Sequence, residues 1–205
     1  MRVLKPFLRR ETRFLEIGAG DCILSFEIAK YVSKVSAVEL SSEVARSQLL
    51  PNNFELIIAD GTRFDVPVGT INVAYSMNLV EHLHPDDLKG HLRNVYQALA
   101  PNGVYICLTP HRLTGPHDAS MHFDEIATGL HLKEYTYDEL QDAFRAVGFS
   151  RIGAIALRPI YLILPSKIFV VLEKAMFELP KAIRIMIRRT PLLMWLTQIK
   201  LIAIK

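Results

Sequence analysis

The chain has 205 residues, half of them hydrophobic, and a net charge of +3, which suits one domain with a sizeable core and argues against disorder. Its two cysteines, Cys22 and Cys107, fit no disulfide or metal spacing, which favours a reducing, cytoplasmic location. The longest apolar stretch, residues 152–164, is broken by Arg158 and Pro159 and is too short to span a bilayer.

In chain order, apolar runs of strand length predict strands near residues 13–17, 34–39, 54–58, 71–76 and 103–109. Helical periodicity between these runs predicts helices near residues 22–32, 42–50 and 86–99. Because helices alternate with strands, we expect a mostly parallel sheet that is covered by helices on both faces.

The regular pattern stops after Leu108. Residues 110–134 predict a long polar loop, and loops of this length in a compact domain are often functional. Thr136 and Glu139 then have the spacing of a capping box, at the start of a helix that runs to about Val147. The last two predicted strands lie at residues 150–157 and 199–204.

The turn between the first strand and the first helix contains the pair Gly18 and Gly20. Glycines allow a sharp turn and a close approach of a ligand, and the following helix offers free N–H groups. A dinucleotide fingerprint would need a glycine in place of Ile23, and a phosphate loop would need a lysine that this turn lacks. Glu39, after the second strand, is instead placed to accept both hydroxyls of a ribose, and Asp60 to meet an adenine edge.

The chain contains in order the stretches LEIGAG, VEL, ADGTRF, SMNLVEHL and LAPNGVYICLTP, which resemble the successive motifs of class I S-adenosylmethionine-dependent methyltransferases. The segment EYTYDELQDAFRAVGF resembles the small-molecule branch, which includes enzymes of the ubiquinone-biosynthesis type. The resemblance covers about residues 12–158 and the last strand. It implies one Rossmann-like α/β domain over residues 1–205, whose seven-stranded sheet is mostly parallel with an antiparallel last strand.

The resemblance also implies which residues bind S-adenosylmethionine. They lie after successive strands: Glu16, Gly18, Gly20, Glu39, Asp60, Gly61 and Asn78. In the family pattern Glu16 organises the glycine loop, Glu39 binds the ribose hydroxyls and Asn78 lies near the methionine moiety. Cys22 departs from the pattern, because the family often has a third glycine there.

The predicted loop raises the question of catalysis or metal binding, since it contains four histidines: His111, His117, His122 and His131. No pair has the spacing of a zinc helix and no cysteine joins them, so we expect no metal site. Imidazole suits acceptor contact or proton handling, which makes His111 the first catalytic candidate and His131 the second. Glu81 and His82 are interpreted either as a helix start with a surface histidine or as part of the site.

An insert of residues 159–197 precedes the last strand, where the family usually has a short hairpin. It is helical by periodicity, and residues 159–205 carry eight Lys and Arg against two Asp and Glu. On one predicted helix Lys181 and Arg184 share a face with Arg188, whereas Ile183, Met186 and Ile187 share the other. Such a helix can lie in a membrane interface, so residues 166–197 predict peripheral membrane contact, with packing on the sheet or on a second subunit as alternatives. The basic residues lack interleaved aromatics, and we expect no nucleic-acid partner.

The sequence therefore predicts an enzyme that moves a methyl group from S-adenosylmethionine to a small-molecule or lipid-like acceptor by in-line displacement. The alternative is a catalytically inactive methyltransferase fold that serves as a binding or scaffold protein, for which Cys22 and the short N-terminal region argue. A nicotinamide-dependent oxidoreductase is disfavoured by Ile23. The acceptor, the methylated element and the oligomeric state stay open.

Overall fold

The computed structural model describes residues 2–43, 49–156, 162–188 and 197–205. Its strands are β1 (Arg13–Ile17), β2 (Lys34–Glu39), β3 (Phe54–Ile58), β4 (Ile71–Met77), β5 (Leu99–Pro110), β6 (Arg151–Ala156), β7 (Leu162–Pro165) and β8 (Gln198–Ile204). Its α-helices are α1 (Ile23–Ala29), α2 (Leu88–Ala98), α3 (Tyr137–Ala146), α4 (Ser166–Phe177) and α5 (Lys181–Arg188).

All eight strands form one sheet in the order β3-β2-β1-β4-β5-β8-β6-β7. The pairs among β1 to β5 are parallel, whereas β8 runs antiparallel to both β5 and β6, and β7 runs antiparallel to β6. The carboxyl ends of β1, β2, β3, β4 and β5 therefore meet at one edge, which is where ligands bind in open sheets of this kind.

Two hydrophobic clusters cover the two faces of the sheet. One packs α2 and α3 against the sheet around Leu92, Tyr105 and Phe144, and the other packs α1 around Phe14 and Ile28. The strands of the centre are apolar on both sides because both faces are buried, as expected for a parallel sheet with helices on each side. The Rossmann-like architecture predicted from the sequence is thus confirmed.

The structure differs from the prediction in the number of strands. An eighth strand, β7, opens the insert and extends the sheet beyond β6, whereas seven strands were expected. In addition, β5 begins at Leu99 rather than at Gly103, because a register shift against β4 accommodates Asn102 in a left-handed conformation, with φ of 61°. The predicted helix near 42–50 falls largely outside the described residues.

The insert is attached to the domain through α4, which packs on α3. Phe169 and Val170 are buried, and the Phe169 ring lies 5.0 Å from the ring of Tyr137. The capping box at the start of α3 is confirmed, since Thr136 Oγ1 accepts from Glu139 N at 3.2 Å and Glu139 Oε2 accepts from Thr136 N at 3.0 Å. On α5, the predicted side-chain positions of Ile187 and Arg188 lie outside what the structure describes.

Candidate active site

The glycine turn joins β1 to α1 and is held against β2. Gly18 and Gly20 have φ of 72° and 54°, in the left-handed region that glycine enters without strain. The N–H groups of Gly18 and Ala19 both donate to Val38 O, at 2.9 and 3.1 Å. These two bonds fix the position of the turn beside the end of β2. The space next to Gly20 is open, since a Cβ there would meet nothing within 4 Å.

Glu39 lies at the end of β2, beside this turn. Its Oε2 accepts from Gly20 N at 2.8 Å and its Oε1 accepts from Leu40 N at 2.9 Å. Each carboxylate oxygen has a second lone pair, so the orientation fixed by these two amides leaves acceptor capacity for the hydroxyls of a ribose. The structure thus brings together Gly20 and Glu39, which the sequence interpretation linked only through their spacing.

Glu16, at the end of β1, is buried beneath the turn. Its Oε2 accepts from Ser25 Oγ at 2.6 Å, which ties β1 to α1. Burial raises the pKa of the Glu16 carboxyl to about 7, against the opposing effect of the Ser25 hydrogen bond. The organising role that the family pattern implies for Glu16 stays a prediction, and the observed contact is the bond from strand to helix.

Cys22 stands immediately before α1 and adopts a backbone conformation that is more typical of glycine. Its φ of 59° lies in the left-handed region, and its side chain is completely buried. Burial and the neighbouring carboxylates raise the pKa of the thiol to about 11. Cys22 therefore fills the role of a small turn residue and is not a reactive thiol at neutral pH.

Asp60 and Gly61 follow β3. Asp60 Oδ1 accepts from Thr62 Oγ1 at 2.7 Å and from Thr62 N at 2.8 Å, and these bonds lower the pKa of its carboxyl. Gly61 has φ of 80°. A Cβ on Gly18 or Gly61 would lie 3.1 or 3.5 Å from Leu79 Cδ1, so both glycines pack around the same side chain.

Asn78 follows β4 with φ of 53°, and its N–H donates to Leu108 O at 2.9 Å. It lies next to Leu79, which places it at the same edge of the sheet as Gly18 and Gly61. We call this set of residues 16–20, 39, 60–61 and 78 the glycine edge. Every residue that the sequence assigned to cofactor binding belongs to it.

His91 on α2 supports the glycine edge, and the sequence interpretation did not identify it. Its Nδ1 donates to Gly61 O at 2.7 Å, and its Nε2 then accepts from the hydroxyl of Tyr105 at 3.0 Å. Complete burial lowers the pKa of the His91 imidazole to about 4, so the ring is neutral at physiological pH. The available signal was a histidine on the apolar face of a helix, which is usually a core residue.

His111, the first catalytic candidate, is buried. Its Nε2 donates to Glu173 Oε2 at 2.9 Å and its Nδ1 accepts from Leu113 N at 2.9 Å. Burial lowers the pKa of the ring, which is therefore neutral, with both nitrogens bonded inside the protein. This placement does not fit the acceptor contact predicted from the sequence, which assumed an open position at the mouth of the cleft.

His131, the second candidate, lies at the surface of residues 110–134, which we call the post-β5 loop. Its Nδ1 bonds Glu134 Oε1 at 2.8 Å, its N–H donates to Asp118 Oδ2 at 3.0 Å, and its ring packs edge-on against His82 at 5.0 Å. The side chain is 11% exposed. Of the two candidates, only His131 has part of its side chain exposed to solvent, whereas the His111 side chain is completely buried.

Comparison with known proteins agrees with this architecture. A family model described as a methyltransferase domain matches residues 1–152. The fold is similar to that of an S-adenosylmethionine-dependent methyltransferase from Mesorhizobium loti, with a TM-score of 0.68, 18% identity, and coverage of 99% of this chain and 96% of that one. No curated protein matches the chain.

Two further solved structures share the fold. An S-adenosylmethionine-dependent methyltransferase from Archaeoglobus fulgidus has a TM-score of 0.64 at 17% identity, with coverage of 100% of this chain and 90% of that one. Phosphoethanolamine N-methyltransferase 2 from Haemonchus contortus, in complex with S-adenosyl-L-methionine, has a TM-score of 0.63 at 14% identity, with coverage of 99% and 51%.

The parallel sheet with a glycine turn after its first strand and a carboxylate after its second defines a nucleoside-binding α/β protein. The chain belongs to the methyltransferase domain family, because the family model covers about three quarters of it. It is an S-adenosylmethionine-dependent methyltransferase, and the glycine edge suits that cofactor: Gly18 turns the backbone with φ of 72°, and Glu39 bonds the turn at Gly20 N.

Proposed function

We propose that this enzyme methylates a small-molecule or lipid-like acceptor that binds beside the post-β5 loop. The observation that carries the proposal is the apolar outer surface of that loop. Five of its large apolar side chains are about half exposed or more: Met121, Phe123, Ile126, Leu130 and Leu132. A loop rich in exposed apolar groups next to a nucleoside site suits an apolar ligand better than a highly charged one.

The cofactor contributes a methyl group on a sulfonium sulfur, which is already activated for transfer. The residues of the chain then have to bind, align and exclude water rather than generate a strong nucleophile. In our proposal Glu39 binds the ribose hydroxyls, Asp60 and Gly61 lie by the adenine, and Asn78 lies near the methionine moiety.

The post-β5 loop is held in place by buried carboxylates, which makes it a suitable wall for an acceptor. Asp118 accepts from Gly129 N and from His131 N, each at 3.0 Å, and Glu134 accepts from His117 N at 2.6 Å. In addition, Leu132 N donates to Glu81 O at 2.8 Å, which docks the loop onto the turn that follows Asn78. In our proposal the apolar side chains of the loop therefore form one wall of an acceptor site beside the glycine edge.

Calorimetric titration with S-adenosylhomocysteine tests the cofactor assignment. We expect micromolar binding by the intact protein and a loss of at least about 30-fold in Glu39→Ala, since each hydrogen bond to a charged group contributes about 1.5–3 kcal/mol. Glu11→Ala, an exposed carboxylate elsewhere, is the matched control and should bind normally. No binding by the intact protein would refute the enzyme assignment and favour the scaffold alternative.

A methyl-transfer assay tests the acceptor class. Labelled cofactor is incubated with quinone-like and lipid-linked molecules and with polar metabolites, using the intact enzyme and Phe123→Ser. We expect transfer to apolar acceptors, and lower turnover in the variant with unchanged cofactor affinity. Val68→Ser is the control, because Val68 and Phe123 are both 74% exposed. Transfer only to polar metabolites would contradict the proposal.

We further propose that α4 and α5 contact an anionic membrane. Apolar side chains on these helices are exposed, among them Val171, Leu172 and Met186, and Lys181 and Arg184 lie nearby. Lys181 pairs with Glu125 at 3.1 Å and Arg184 Nη1 donates to Leu113 O at 3.3 Å, so α5 is joined to the post-β5 loop. In the described part of the chain no helix is long and apolar enough to cross a membrane.

Flotation with liposomes separates this proposal from simple packing. At low salt we expect the intact protein to float with vesicles that contain an anionic lipid and to remain in the bottom fraction with neutral vesicles. Replacing Val171 and Met186 with serine should abolish flotation. Absence of flotation with anionic vesicles would overturn membrane contact while leaving the methyltransferase assignment untouched.

A further inference from the structure

Three side chains from two segments that lie about 50 residues apart in sequence meet where the post-β5 loop docks onto the turn after β4. They are Glu81 and His82, in the turn of Val80–His82, and His131. One ligand atom from each lies within 4.8 Å of the ligand atoms of the other two. Two imidazoles and one carboxylate are a donor set that binds divalent transition metals in proteins.

Glu81 supplies an unpartnered acceptor to this cluster. The side chain is completely buried, and its Oε2 accepts from Thr109 Oγ1 at 2.8 Å. Its Oε1 is also buried and has no hydrogen-bond partner. A buried carboxylate oxygen without a partner is costly, and a cation at this position would satisfy it.

Each imidazole is oriented through its Nδ1, which leaves its Nε2 for a metal. His82 Nδ1 lies 3.0 Å from Leu130 O, and His131 Nδ1 lies 2.8 Å from Glu134 Oε1. Both partners are acceptors, so each Nδ1 carries the proton and each Nε2 has a free lone pair. Metal-binding histidines almost always donate their other N–H to a carbonyl or a carboxylate in this way.

The geometry requires only a small closure. Ligand atoms about 2.0–2.1 Å from a tetrahedral zinc ion are separated by about 3.3 Å, whereas one ligand atom from each of the three side chains already lies within 4.8 Å of the others, so these atoms would approach by about 1.5 Å at most. The loop is already fixed on one side of the site, because Leu132 N and Lys133 N donate to Glu81 O at 2.8 and 3.2 Å. The exposed ring of His82 provides a path of entry.

We propose that Glu81, His82 and His131 form a binding site for a divalent transition metal such as Zn²⁺. Three protein ligands leave at least one coordination position open, as in metal sites that bind a substrate rather than sites that only stabilise a fold. If the proposed function is correct, an oxygen or nitrogen of the acceptor takes that position, and the metal would orient the acceptor beside the glycine edge. The spacing within the loop could not indicate this site, because two of the ligands come from another segment.

Zinc titration of metal-free protein, without cofactor or acceptor, tests the site independently of methyl transfer. We expect saturable binding of about one equivalent by the intact protein. His82→Asn and Glu81→Gln should weaken binding by more than the roughly 10–100-fold that loss of a hydrogen-bond partner of a metal ligand costs. His82 is exposed, so its variant should fold normally, which circular dichroism verifies.

His84→Asn is the matched control, because His84 is an exposed histidine two residues away that lies outside the cluster. It should bind zinc like the intact protein. Glu134→Gln keeps all three ligands but weakens the orientation of His131, and we expect it to lower the affinity by about tenfold. No saturable binding by the intact protein, or equal loss in the His84 variant, would overturn the proposal, whatever the outcome of the cofactor titration.

Discussion

The glycine edge and the post-β5 loop use polar groups in opposite ways. At the glycine edge the backbone takes left-handed conformations, and each carboxylate oxygen of Glu39 accepts from one backbone amide, which leaves acceptor capacity for a ligand. In the post-β5 loop the carboxylates of Asp118 and Glu134 are buried, and at the adjoining start of α3 so is that of Glu173 from α4; each accepts at least two internal N–H groups. The polar groups of the glycine edge therefore have capacity left for a ligand. Those of the post-β5 loop and the start of α3 are used in internal hydrogen bonds that hold these segments in place.

The largest effect is expected from Glu173→Ala, which should destabilise the post-β5 loop and the start of α3 but leave the glycine edge intact. Glu173 accepts from His111 Nε2 at 2.9 Å, from Tyr137 N at 2.8 Å and from Asp138 N at 2.9 Å. Its removal leaves these buried donors unpaired, at a cost of about 3–5 kcal/mol in the free energy of unfolding. Urea unfolding measures it, with Glu178→Ala, an exposed carboxylate at the end of the same helix, as control. A cost below that of a surface variant would contradict the distinction between the two regions.

The next largest effect is the pH dependence that Glu16, a residue of the glycine edge, gives to the free energy of unfolding. Burial raises its pKa from the ordinary 4.5 to about 7, so between these two pH values the folded chain keeps a proton that the unfolded chain has released. Stability due to this group is therefore fully present below about pH 4.5 and is lost as the pH rises through 7, by up to about 3 kcal/mol.

Glu16→Gln should remove that dependence. The difference in unfolding free energy between variant and intact protein, measured at pH 5 and at pH 8, should shift in favour of the variant at the higher pH. The difference cancels the contribution of His91, whose lowered pKa acts in the opposite direction as the pH falls. A difference that does not change with pH would show that Glu16 is solvated rather than buried.

A smaller, local effect is expected in Asp118→Asn. The carboxylate joins Gly129 N and His131 N to the opposite end of the loop, and its hydrogen bonds lower its pKa although burial alone would raise it. Loss of one charge-assisted bond, about 1.5 kcal/mol, should make cleavage by chymotrypsin after Phe123 roughly tenfold faster. Asp86→Asn, at an exposed site, should be cleaved like the intact protein. An unchanged cleavage rate would mean that Asp118 does not hold the loop.

The smallest effect is expected at the boundary of the two regions, in Thr136→Ala. This change removes one half of the capping box that begins α3, and loss of such a cap costs about 1 kcal/mol. Thermal unfolding should show a lower midpoint, with Ser150→Ala as an exposed control. Equal midpoints for both variants would indicate that Glu173 alone stabilises the start of α3.

The same contrast explains what the sequence could predict. The glycine edge was predictable because its residues follow successive strands, and the lengths of the strands and helices between them fix their spacing. The capping box was predictable because both partners lie within one helical turn. The roles of His91 and Glu173 were not, since their partners lie 30 and 62 residues away and neither contact leaves a periodic pattern. His111 was assigned to the wrong environment for the same reason: its burial depends on a helix from the insert.

The bond between Glu173 and the start of α3 has a consequence for the engineering of this enzyme. A carboxylate on α4 accepts from the first N–H groups of α3 and from His111 Nε2. A version shortened by deletion of α4 would therefore leave these three donors without their acceptor. Such a version would need a replacement at position 111 and a new acceptor near Tyr137, so the deletion has to be designed together with compensating substitutions.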